Sequence, residues 1–124
     1  MMKHSIAFAI LLAIGSPVNA QDANNRQHDV TTCAAFYGLM AKGAAKSGDD
    51  ALAELMTTSA NLAMGLAWNI ASAMNMETNT VIERYEMAVA SMMSDMAGNW
   101  NNTSIIIEKY GIKCQDVVNA GPQR

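Results

Sequence analysis

Cys33 and Cys114 are the only two cysteines in a chain of 124 residues, and they stand near the two ends of the segment 21–124. Thiols kept for catalysis usually lie close together, as in a CxxC pair, whereas a distant even pair in an exported chain reads as a structural disulfide. Joining residues 81 apart (114 − 33) restricts the unfolded chain by about 4.5 kcal/mol in the chain-entropy account. For a small domain that is a large share of its total stability.

Methionine supplies the second kind of possible chemistry. There are eleven, with Met74 and Met76 forming an MxM pair and Met92, Met93 and Met96 an MMxxM run. Thioethers are soft ligands for Cu(I), so Met92, Met93 and Met96 are the candidate set for a copper-handling protein. Methionine also fills irregular gaps between helices. Met92 and Met96 fall on one helical seam, and no histidine or second cysteine stands beside them. Packing is therefore the first reading and copper the alternative.

Acid–base and nucleophilic chemistry find little support. Glu83 and Glu86 lie one helical turn apart, but carboxylates in the first turns of a helix serve its dipole and its solvation. Beyond residue 20 the sole histidine is His28, which leaves no Ser-His-Asp, Cys-His or zinc set. There is no glycine-rich phosphate loop. The chain reads as non-enzymatic. Met64, Trp68 and Met87 fall on or beside polar helix faces, where an aromatic with flexible neighbours forms a docking patch for a protein partner.

The elements that must position these residues follow from punctuation and periodicity. Residues 1–20 have the form of a cleaved signal peptide: Lys3 and His4, the apolar run Ile6 to Ile14, Gly15-Ser16-Pro17, and small residues at Val18 and Ala20. Nine apolar residues are too few to span a bilayer. The style of the segment is bacterial and Sec-type, which places the mature protein in the periplasm or outside the cell. Removing Lys3 from the eight basic residues leaves seven against eleven acidic ones, a net charge of −4 for residues 21–124. That balance argues against nucleic acid and against anionic membrane surfaces.

In the single domain 21–124, residues 21–28 (QDANNRQH) read as a flexible polar lead. A first helix, capped by Asp29 or Thr31, runs to about Lys46 with Cys33, Phe36, Tyr37, Met40 and Ala44 on one face. Asp49-Asp50 opens a long helix to Met76, expected to be the element on which the rest is laid. Its apolar face holds Leu52, Leu55, Leu62, Leu66, Ile70 and Ala73. The segment has membrane length, but its Asn, Thr and Ser cluster on one side, unlike a lipid-facing span.

A third helix follows a capping box at Thr80 and Glu83, with Thr78 or Asn79 as alternative caps, and carries a seam of Ile82, Tyr85, Val89, Met92 and Met96. A fourth element runs from Ser104 to Tyr110 and stops at Gly111. Its Ile105-Ile106-Ile107 run is β-branched and compatible with a short strand, yet helix is preferred because a lone strand has no partner. A last turn opens near Cys114, and residues 119–124 form a tail. The expected architecture is an all-α bundle of about four helices tied by one disulfide. The expected function is an exported accessory factor of an envelope or secretion system, or an inhibitor or immunity-type protein. A periplasmic holdase chaperone is a further alternative beside copper handling.

Overall fold

The computed structural model describes the backbone of residues 3–120 and the side chains of residues 20–119. Four helices follow one another: α1 (Lys3–Lys46), α2 (Asp50–Ala73), α3 (Thr78–Asp95) and α4 (Thr103–Ala120). A 3-10 turn at Trp100–Asn102 precedes the last. No strand occurs among the described residues, and Ile105–Ile107 belongs to α4. The chain is thus a small all-α bundle, tied by a disulfide between Cys33 and Cys114 whose Cα atoms lie 5.2 Å apart.

The central element is α1 rather than α2. Val30, Cys33, Ala34, Ala35, Phe36, Leu39 and Ala44 are all buried, which places apolar surface around the whole helix. Helices α2, α3 and α4 each pack on α1 and hardly meet one another. Small residues explain the arrangement, because Ala34, Ala35, Gly38, Gly43 and Ala44 let neighbours approach α1 from several sides. A Cβ added at Gly38 would lie 3.2 Å from the Tyr85 hydroxyl, and one at Gly43 would lie 3.5 Å from the Trp100 ring. Helix α2 is longer than α3 and α4, but its apolar residues form one stripe, so it can only be a wall.

The covered face of α2 also differs from the expected one. Ala63, Leu66, Ala67 and Ala71 are buried, while Leu52, Leu55 and Leu62 remain exposed. The contact is turned toward the alanines, which allow closer approach to α1 than leucines would.

Residues 21–28 are not a lead but part of α1, and Gln27 is fully buried. Arg84 of α3 donates to Gln27 Oε1 at 2.7 Å and to Asn24 Oδ1 at 2.8 Å. Gln27 Nε2 in turn donates to the Ala67 carbonyl at 3.3 Å. One glutamine therefore joins α1, α2 and α3, and its buried polar atoms are satisfied. The polarity that suggested solvation is used as internal hydrogen bonding.

Helix ends agree with the punctuation in part. Asp49 caps α2 by accepting from the Leu52 amide at 3.1 Å. Helix α3 starts at Thr78 after Glu77, which makes no side-chain cap bond, so the capping box at Thr80 does not form. Its seam begins with Val81, fully buried, and Ile82 is turned outward. Gly111 does not stop α4, which continues to Ala120 and takes in the start of the expected tail; residues 121–124 lie outside the described residues.

The main core cluster joins Cys33, Phe36 and Leu39 of α1 to Met92 and Met96 and to Ile106 and Cys114 of α4. A second, smaller cluster holds Val30 and Ala34 against Ala63, Leu66 and Ala67.

Candidate functional site

Because α2 and α4 both rest on α1 without closing on each other, a groove of about 490 Å³ stays open between them. Its floor is Phe36, Tyr37 and Met40 of α1. One wall is the N-terminal half of α2, with Leu52, Leu55, Met56, Ser59 and Leu62 at spacings of three and four. The other is α4, with Ile107, Gly111, Gln115 and Val118. Leu55 is 59 % exposed and Leu62 56 %, so large apolar side chains stand at the rim. Along α2 the groove extends ten residues, roughly 15 Å at the helical rise.

This volume falls in the range of sites that enclose ligand groups. An open trough between two helices on a third also has the shape that takes an amphipathic helix. Burial raises the pKa of the Tyr37 phenol on the floor above its ordinary value. No Lys, Arg, Asp or Glu lines the groove among the described residues.

The residues singled out from the sequence fall into separate places. Met64 is half-buried and lines a smaller cavity of about 160 Å³ with Ala34, Ala60, Asn61 and Tyr85. Trp68, on the same helix, is 37 % exposed. Met87 is 72 % exposed on α3, and neither described cavity brings it together with the other two. Met92 and Met96 are fully buried, and Met93 packs at the edge of the same core. A metal ion reaching both buried sulfurs would have to open that core at its centre. Among the described residues no group of three His, Cys, Asp or Glu is placed to hold a metal ion.

The ionisable side chains elsewhere form surface ties. His28 and Asp29 approach at 3.9 Å, and Lys113 of α4 meets Asp29 of α1 at 3.4 Å. Lys109 pairs with Asp95 at 3.1 Å, and its pKa is raised, chiefly by that hydrogen bond. Glu83 and Glu86 are exposed on α3.

The groove residues escaped selection because leucine on an amphipathic helix reads as core. A usable signal was present, however. Helix α2 changes composition midway, from leucines among Glu54, Thr57 and Thr58 to a run rich in alanine around Gly65. Only the second half suits close packing. No protein-family model, curated protein or solved structure matches the chain. Among the described residues no helix is long and apolar enough to cross a membrane.

Proposed function

We propose that this chain is an exported, non-enzymatic factor that binds another protein through the groove between α2 and α4. The observation that carries the reading is the exposure of Leu55 and Leu62 above the apolar floor formed by Phe36, Tyr37 and Met40. Contiguous exposed apolar surface of this kind marks interaction sites. Export is supported by the signal-like residues 1–20 and by the Cys33–Cys114 disulfide, which suits an oxidising compartment. Cleavage after Ala20 would leave Asn24, Gln27 and every buried residue of the cores in place.

The decisive experiment places a photo-crosslinking amino acid at Leu55 or at Trp68 in cells producing the full chain. A discrete protein adduct from Leu55 is the expected result. An adduct from Trp68 alone would move the contact to the Met64/Trp68 side of α2, and no adduct from either would refute the binding reading.

A further inference from the structure

Resting on the groove reading, we infer that the occupant is an amphipathic helix of a partner protein, with basic residues flanking its apolar stripe. The shape argument comes first. The groove is the trough left between two helices laid on a third, and α3 takes no part in lining it. Ridges at spacings of three and four on α2 match the side-chain rows of an incoming helix. Gly111 on the opposite wall presents bare backbone, which lets a helix come close.

Charge then selects the kind of helix. Asp49 lies one turn before Leu52, and Glu108 adjoins Ile107; both are exposed, and both stand toward the end of the groove where α2 and α4 begin. The lysines on α4 and at the end of α1 are engaged elsewhere. Lys109 pairs with Asp95, Lys113 with Asp29, and Lys46 lies 5.7 Å from the centre of the Trp100 ring. An apolar trough that is acidic at this end favours an apolar stripe flanked by cations.

The same sign disfavours other occupants. Anionic lipid headgroups would meet Asp49 and Glu108. A second copy offering its exposed Ile82 and Met87 would bring Glu83 and Glu86 with them, opposing like charge.

The test uses the full-length processed protein and labelled synthetic helices of about 14 residues. They carry one leucine stripe and differ only in Lys or Glu flanks. The Lys-flanked helix is expected to bind at least about tenfold tighter at low salt, with the gap narrowing as salt screens the rim. Leu55→Asp should abolish binding without loss of the folded melting transition. Gly111→Leu should do the same by filling the trough with charge unchanged.

Equal binding of the two peptides would overturn the basic-helix inference and leave the groove reading standing. Failure of both peptides to bind, with a Leu55 crosslink still formed in cells, would do likewise. Peptide binding untouched by both variants would overturn the groove itself. Tighter binding to phosphatidylglycerol vesicles than to the Lys-flanked helix, or a dimer dissolved by Leu55→Asp, would replace the inferred occupant with a membrane or a second copy.

Discussion

Along the C-terminal half of α2, Ala63, Leu66, Ala67 and Ala71 meet α1, and the alanines among them are almost completely buried. Along the N-terminal half, Leu52, Leu55 and Leu62 are each more than a third exposed. Leu66 apart, small side chains are inside and large ones outside, on a single helix. Close approach of two helices rewards alanine, because backbones in contact leave no room for a leucine. Where α2 stands off from α4, leucines have nothing to pack against and line a trough. The first half supplies stability, and the second supplies a surface that costs solubility unless something covers it.

The sharpest way to break this division is to cut the tie that fixes the second wall. Cys33–Cys114 pins α4 to α1. A Cys33→Ser/Cys114→Ser chain should lose about 2–5 kcal/mol on denaturant unfolding. Peptide binding should fall as well, because α4 is one side of the groove. Full binding by this variant would show that α4 is not a wall.

The two halves can then be set against each other directly. Ala67→Leu, at a fully buried site, should cost about 1–3 kcal/mol by overpacking the contact with α1. Leu62→Ala, mostly exposed, should change stability by no more than about 0.5 kcal/mol while weakening the peptide complex. Reversal of the two stability effects in thermal melts would mean that the leucines, not the alanines, hold α2.

Two glycines sharpen the comparison further. Gly65 has open space around the position of an added Cβ, and Gly111 meets only Ile107 of its own helix at 3.7 Å. Each replacement by alanine should raise stability by about 0.5–1 kcal/mol through helix propensity. Gly65→Ala should leave binding unaltered, whereas Gly111→Ala should weaken it. Parallel titrations of the two variants with the Lys-flanked helix separate the effects.

How far the sequence revealed this division depends on the length scale. The helices, the α2 cap at Asp49 and the disulfide were legible because local punctuation and cysteine count decide them. The hub was not, because burial around all of α1 depends on three neighbours distant in sequence. Gln27 was missed for a related reason: its polarity signals water unless Arg84, 57 residues away, is known to reach it. Met92 and Met96 are buried, as their place on a periodic seam predicts. The groove leucines were assigned to the core because a helical wheel shows which face is apolar, never whether a neighbour covers it.

The smallest expected effect lies at alkaline pH, where one titrating group lies away from the groove lining and one lies on its floor. Between α3 and α4 the Lys109 pKa is raised, first by its hydrogen bond to Asp95, then by the Coulombic pull of Tyr110 and of Asp95. This exposed pair favours the folded chain while Lys109 is charged. Its contribution is present below the ordinary lysine pKa of about 10.4 and fades as pH rises through the folded value. At the groove, burial raises the Tyr37 phenol. The unfolded chain therefore ionises first above about pH 10, and stability falls from there. Lys109→Met should remove the first contribution and Tyr37→Phe the second, each giving a flatter alkaline limb in urea melts. The groove adds a stricter test, because a helix seated over Tyr37 buries it further. Bound Lys-flanked peptide should push Tyr37 ionisation, followed by tyrosinate absorbance, to still higher pH, and should leave Lys109 unmoved. A Tyr37 titration indifferent to saturating peptide would place the peptide elsewhere on the bundle.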